Sequence, residues 1–167
     1  MIFKKNKANH VPLSPINFLE RTAKIFPNYS SIISETKRFT WRETYERCNL
    51  FASSLIKKKI KIGDVVSILA PNTYAMYEAH FAIPMSGAII NTINIRLDAK
   101  TIYYIINHSK TKLIFVDSEF LPLLRSALKF GKKKIDIVTI NDDKRFSKNI
   151  KKEQKYENFL KKGKNFS

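Results

Sequence analysis

Apolar residues concentrate in three short blocks, Val65–Leu69, Ala88–Ile93 and Leu113–Val116, and the segments between them are long enough to be helices. Parallel strands need a long return path, whereas antiparallel neighbours can be joined by a tight turn. The rhythm from Gly63 to Asp117 therefore predicts strand, helix, strand, helix, strand. Ile135–Ile140 reads as a further strand. The expected fold class is α/β, three-layered, with a mostly parallel sheet and helices packed on it.

Upstream, Ser14–Pro15 predicts a helix start: Ser as N-cap, Pro at the first helical position, and Leu13 and Phe18 placed as a hydrophobic staple. That helix should stop before Pro27, with Ile16, Leu19, Ala23 and Phe26 as its apolar stripe. Ser31–Ser34 and Arg38–Thr40 predict a short hairpin around Glu35–Thr36–Lys37. Thr40 and Glu43 have capping-box spacing and open a helix from Trp41 to about Lys58, with Trp41, Tyr45, Cys48, Ala52 and Leu55 on its buried face. Asn72 or Thr73 can cap a helix over 74–86, in which Pro84 falls in the last turn and Gly87 is the C-cap. Asp98 caps the next helix, and Asp117 or Ser118 caps another over about 119–130. Residues 141–154 read as a polar surface loop and Tyr156–Lys162 as a short helix.

Composition adds a charge to account for. The 167 residues carry 31 Lys+Arg against 14 Asp+Glu, a formal net charge of +17. Residues 129–167 hold 13 Lys/Arg against 5 Asp/Glu, so the tail is the most basic stretch. Such a balance suits nucleic acid or an anionic membrane surface. The plainer account is codon usage, since Lys, Ile and Asn all have AT-only codons and would accumulate on solvated faces. The lysine runs lack ordered aromatic interleaving and no nucleic-acid-binding motif is present, which disfavours a nucleic-acid partner. Apolar runs are too short for a transmembrane segment, and the N-terminus lacks the apolar core of a secretory signal. The one cysteine excludes an internal disulfide. A cytoplasmic protein is expected.

Little in the chain resembles self-sufficient catalytic machinery. Four isolated glycines, Gly63, Gly87, Gly131 and Gly163, cannot form a phosphate-cradling loop, which needs close backbone approach. The turn Ile93–Leu97 is the best site, because it leaves the carboxyl end of a parallel strand, where open α/β sheets bind ligands. Within it Arg96 suits a phosphate or carboxylate, or else pairs with Asp98 or a helix terminus. Tyr74, Tyr77, His80 and Phe81 share a helix side, as core or as a pocket wall. His80 and His108 lack catalytic or metal partners at suitable spacing, and Cys48 reads as inert core. Glu43 reads as a cap and Glu46 as surface. The run Asp117–Ser118–Glu119 is explained by helix capping.

The sequences GDVVSILAPN (Gly63–Asn72), PMSGA (Pro84–Ala88), INTINIRLD (Ile90–Asp98) and IFVDSEF (Ile114–Phe120) together resemble the start of an AMP-forming acyl-CoA synthetase of the adenylate-forming superfamily. His10–Pro15, Thr40–Thr44 and, weakly, Tyr156–Leu160 extend the likeness over most of the chain. The resemblance implies that residues 1–140 are a partial N-terminal ligase domain. Residues 141–167 would be a basic loop and short helix leading towards the family's phosphate-binding loop. It implies a ligase family member cut short at its C-terminus by a frameshift, a premature stop or an incomplete gene reading, and inactive by itself. The intact relative would use ATP, Mg²⁺ and CoA to activate a short- or medium-chain carboxylic acid. By the same resemblance Asn94, Ile95 and Arg96 line the tunnel for the CoA pantetheine arm. Two alternatives stand beside it: a non-catalytic remnant that binds a partner, the missing C-terminal portion among them, and a basic nucleic-acid-binding domain.

Overall fold

The computed structural model describes residues 10, 13–34, 37–132, 134–141, 144–150 and 152–164. The hairpin turn at Glu35–Thr36 and the pair Val11–Pro12 lie outside the described residues.

Helix α1 (Pro15–Ile25) precedes the antiparallel hairpin β1 (Ser30–Ile33) and β2 (Arg38–Thr40). Helix α2 (Trp41–Lys57) starts from a complete capping box: Thr40 Oγ1 accepts from Glu43 N at 3.2 Å, and Glu43 accepts from Thr40 N at 2.7 Å. Then come β3 (Val65–Leu69), α3 (Tyr74–Met85), β4 (Ile89–Thr92), α4 (Ala99–His108), β5 (Leu113–Asp117), α5 (Leu121–Leu128) and β6 (Asp136–Ile140). A 3₁₀ turn (Lys144–Asn149), β7 (Gln154–Lys155) and α6 (Tyr156–Leu160) follow.

Five parallel strands form the main sheet in the order β4-β3-β5-β6-β7. Strand residues alternate between two cores, as the two-residue period of a strand requires. Val66, Ile68, Leu113, Phe115, Val138 and Ile140 face one core, which α1, α2, α3 and α6 cover. Leu69, Ile114 and Val116 face the other, which α4 and α5 cover. The architecture is the three-layered α/β arrangement with a parallel sheet.

Several local expectations need correction. Leu13 is 88% exposed and Phe18 55% exposed, so no staple closes over α1, and Phe26 lies in the open while Leu19 and Ala23 carry the buried stripe. The Thr73 hydroxyl occupies the N-cap position of α3 without making a capping hydrogen bond. The N-cap of α5 is Phe120, two residues later than Ser118, because Asp117 Oδ1 already accepts from Glu119 N and turns the chain there. The described residues of the 141–154 stretch form more regular structure than a surface loop. It contains the 3₁₀ turn and the first residue of β7, Ile150 packs against the second core, and Glu153 pairs with Arg125. The short final helix buries Tyr156, Phe159 and Leu160. The rings of Tyr156 and Phe159 join Phe51 and Phe115 edge to face, with centroids 4.8 Å apart for Phe51–Phe115 and 5.3 Å for Phe115–Phe159. Such pairs add about 0.5–1.5 kcal/mol each to area burial.

Candidate functional site

At the carboxyl ends of β3 and β4 lies an open groove of about 510 Å³. Ala70, Pro71 and Asn72 leave β3 on one side, and Thr92, Ile93, Asn94 and Ile95 leave β4 on the other. Met76 and His80, one turn apart on α3, close it. The sheet's order reverses next door, between β3 and β5, so the groove stands one strand from the point where such folds usually hold ligands.

The turn after β4 is held by its own residues. Asn94 Oδ1 accepts from Arg96 N at 2.9 Å, Ile93 N donates to Ile68 O, and Ile95 packs against the second core. Of the three residues expected here, Asn94 and Ile95 line the groove and Arg96 does not. Arg96 is exposed, and no ion pair engages it among the described residues. Asp98, its expected partner, instead accepts from Lys100 N, Thr101 N and Thr101 Oγ1, and these bonds, led by the Thr101 hydroxyl, hold its carboxyl below the usual range.

The aromatic side of α3 divides. Tyr74 is buried, and Tyr77 and Phe81 pair at 5.2 Å against the first core. His80 alone reaches the groove. Its Nδ1 lies 2.8 Å from Met76 O. A carbonyl can only accept, so Nδ1 donates here, and in the Nδ1–H tautomer Nε2 is an acceptor. His108 stacks on Tyr104 at 5.6 Å. Cys48 is fully buried, which pushes its thiol well above the ordinary range and makes it inert.

Behind the groove sits an ionic cluster that the sequence reading missed. Glu78 is completely buried on α3. Arg47 donates from Nε to Glu78 Oε1 at 2.5 Å and from Nη2 to Glu78 Oε2 at 3.2 Å, and it also forks onto Glu157 at 3.0 and 2.9 Å. Tyr156 OH donates to Glu78 Oε2 at 2.6 Å, and Tyr74 OH donates to Glu157 Oε1 at 3.2 Å. Burial raises the Glu78 carboxyl in spite of Arg47. Partial burial also works to raise Glu157, but the hydrogen bonds and charge of Arg47, with Lys37 and Tyr74, outweigh it and leave that carboxyl lowered. The one clue in the sequence was an acid, Glu78, in the midst of the apolar run YAMYEAHFA. The cluster welds α2, α3 and α6 together and makes no opening to the groove.

Two hydroxyls at the carboxyl edge, Thr73 Oγ1 and Ser118 Oγ, are buried without a hydrogen-bond partner. Among the described residues no three His, Cys, Asp or Glu side chains gather to hold a metal ion, and no helix is long and apolar enough to cross a membrane.

Comparison with known proteins gives this fold its relatives. The chain is 48% identical over 162 residues to the peroxisomal butyrate–CoA ligase of Arabidopsis thaliana, covering 94% of this chain and 28% of that enzyme. It is 54% identical over 121 residues to the peroxisomal trans-cinnamate:CoA ligase of Petunia hybrida, covering 72% and 21%. Among solved structures, an anthranilate CoA ligase in complex with anthranoyl-AMP superposes with a TM-score of 0.81 at 20% identity, over 91% of this chain and 28% of that one, a likeness of fold. The chain thus spans just over a quarter of the curated ligase that it matches along most of its length. The family described as AMP-binding enzyme matches residues 19–164, and the chain belongs to that family.

Proposed function

We propose that this chain forms the first part of an AMP-forming CoA ligase that activates small carboxylic acids, and that the groove beside Asn94 and Ile95 lines the path of the CoA pantetheine arm. The observation that carries the reading is the 48% identity to a butyrate–CoA ligase over 94% of the chain. Relatives named for butyrate, benzoate and trans-cinnamate point to short aliphatic or aromatic acids as the substrate class.

The groove's lining supports the assignment. No Lys, Arg, Asp or Glu lines it, and beside the His80 ring its walls are a mixture of aliphatic carbons and amide or hydroxyl groups. That suits the pantetheine arm, which alternates alkyl segments with neutral amides, and does not suit a phosphate. His80 Nε2 offers an acceptor to an amide N–H, and Asn94 and Thr92 offer both kinds of hydrogen-bonding group. Arg96 is exposed beyond the groove, and in this reading it would meet the anionic end of CoA. The residues present do not fit the triphosphate of ATP or its Mg²⁺, since the glycines are isolated and no acid cluster forms among the described residues. In this reading residues 1–140 supply the partial N-terminal domain. Residues 141–167 lead towards the phosphate-binding loop, with α6 anchored on the body. The names of several relatives place them in the peroxisome, so imaging decides between that compartment and the cytoplasm.

The test is a chimera in which residues 19–164 replace the matching part of the Arabidopsis butyrate–CoA ligase. It should form butyryl-CoA from ATP, butyrate and CoA, and Arg96→Ala or Ile95→Glu should raise the apparent KM for CoA several-fold while that for ATP stays put. The 167-residue chain alone should show no carboxylate-dependent ATP–pyrophosphate exchange. A folded but inactive chimera, or a CoA KM indifferent to both changes, would remove the corresponding half of the proposal.

A further inference from the structure

The amino edge of the parallel sheet differs in charge from the carboxyl ends of β3, β4 and β5. The loops 70–73, 93–98 and 118–120 leave the carboxyl ends of β3, β4 and β5, and their only charged residues are Arg96, Asp98 and Glu119. The loops entering β3, β5 and β6 at the opposite edge present Lys58, Lys59, Lys61, Lys110, Lys112 and Lys134, all exposed. Parallel strands bring these separate stretches to one side of the molecule. Acidic groups there are few: Asp136 is paired with Lys58 at 2.7 Å, and Asp64 accepts from Lys61 N at 2.9 Å.

Codon usage accounts for the number of lysines but not for this placement. Helices α2, α3 and α4 all end at the amino edge, each in a Schellman motif. Ile60 N donates to Leu55 O, Ala88 N to Ile83 O, and Thr111 N to Ile106 O. The position after the C-cap is left-handed in all three. Gly87 fills it in α3 at φ 81, whereas Lys59 at φ 64 and Lys110 at φ 56 fill it in α2 and α4. Lysine stands at two corners where the backbone favours glycine.

Exposed aliphatic and aromatic side chains lie among these charges. Ile62, between Lys61 and Gly63 at the tip of the β3 entry turn, is 89% exposed, and Ile89 and Phe130 at the same edge are 54% and 56% exposed. Ile62 rides over Gly87, whose added Cβ would stand 2.8 Å from Ile62 Cγ1, so the turn holds it outward. A basic rim around a projecting apolar tip matches an anionic bilayer, where lysines meet headgroups and the tip enters the interface. Nucleic acid fits less well, because the entry loops hold no Arg to offer a guanidinium fork and the ring of Phe130 is already paired with Tyr103.

We propose that the amino edge of the sheet is a docking surface for an anionic lipid bilayer, with Ile62 as the inserted residue and the groove facing away from the membrane. The experiment is co-sedimentation of the 167-residue chain with phosphatidylcholine vesicles, with and without 30% phosphatidylserine (on the order of a cytoplasmic leaflet's anionic fraction). Binding should require phosphatidylserine and weaken with salt. Lys59→Glu and Lys61→Glu should each lower the partition coefficient by about fivefold or more, and Ile62→Ser should lower it while leaving the net charge unchanged. Lys100→Glu, the same charge change at the other edge, should leave it within twofold. Near-UV circular dichroism confirms that each variant is folded. Equal loss from Lys100→Glu and Lys59→Glu would reduce the effect to net charge and overturn the proposal. So would no binding, equal binding to neutral vesicles, or indifference to Ile62→Ser together with tighter retention on RNA.

Discussion

Arg47 holds two carboxylates whose titrations differ in direction, and that asymmetry predicts a pH-dependent mutant. Glu78 has no contact with water, and burial raises its carboxyl, whereas Glu157 is lowered. Removing one partner of a buried ion pair commonly costs about 3–5 kcal/mol, because the other charge stays behind unpaired. In Arg47→Met, Glu78 keeps only Tyr156 as a donor, and its folded pKa rises further above the unfolded value. A carboxyl raised in the folded state binds more protons folded than unfolded, so its stability contribution is present at low pH and is lost as pH rises through the folded pKa. The destabilisation of Arg47→Met should therefore be smaller near pH 5 and larger near pH 8, read as urea midpoints. Wild type should lose stability in the opposite direction on acidification. The lowered Glu157, with Glu43 lowered by the Thr40 backbone bond and Asp98 by Thr101, gives up its contribution as pH falls below the ordinary carboxylate range. A mutant penalty that is flat across pH would mean that Glu78 is neutral throughout.

The helix endings set the element scale. Lys59 and Lys110 adopt positive φ where an L side chain is strained, and glycine would relieve them. Lys59→Gly and Lys110→Gly should each stabilise the fold by about 0.5–1 kcal/mol, measured by chemical denaturation, while Gly87→Ala should destabilise it, since its Cβ would strike Ile62. At this scale much of the chain was legible. Strands β3 and β5, helix α2 with its capping box and the Asp98 cap follow from neighbours within a few residues, where sequence pattern and structure share one cause. The staple at Leu13 and Phe18 failed because it depends on what α1 packs against, and α5 started late because Asp117 turned the chain first. The candidate site was half legible. Asn94 and Ile95 could be placed because they leave a strand's carboxyl end, but the wall made by Met76 and His80 depends on how α3 lies over β3. The Arg47 cluster joins residues 31 and 110 positions apart, a distance at which no periodicity speaks.

At the scale of the molecule, the final segment looks like a tail in sequence and behaves as part of the core. Residues 154–164 add β7 to the sheet's edge and set Tyr156, Phe159 and Leu160 against Phe51 and Phe115. They also tie back to α2 through Ser54 Oγ, which donates to Phe159 O at 2.8 Å, and through Lys57 Nζ, which donates to Lys162 O at 2.5 Å. Emptying the space of one large buried side chain costs about 2–5 kcal/mol. Losing all three would approach the roughly 5–15 kcal/mol that holds a whole domain together. The same deletion strips Arg47 of Glu157, and Glu78 of the Tyr156 hydroxyl. A chain ending at residue 153 should therefore lose its cooperative thermal transition and bind a hydrophobic dye, as an exposed core does. A cooperative melt within a few degrees of the full chain would show instead that α1 to β6 is self-sufficient. Phe159→Ala provides the graded version: it should keep a cooperative transition but lower stability by about 3–5 kcal/mol.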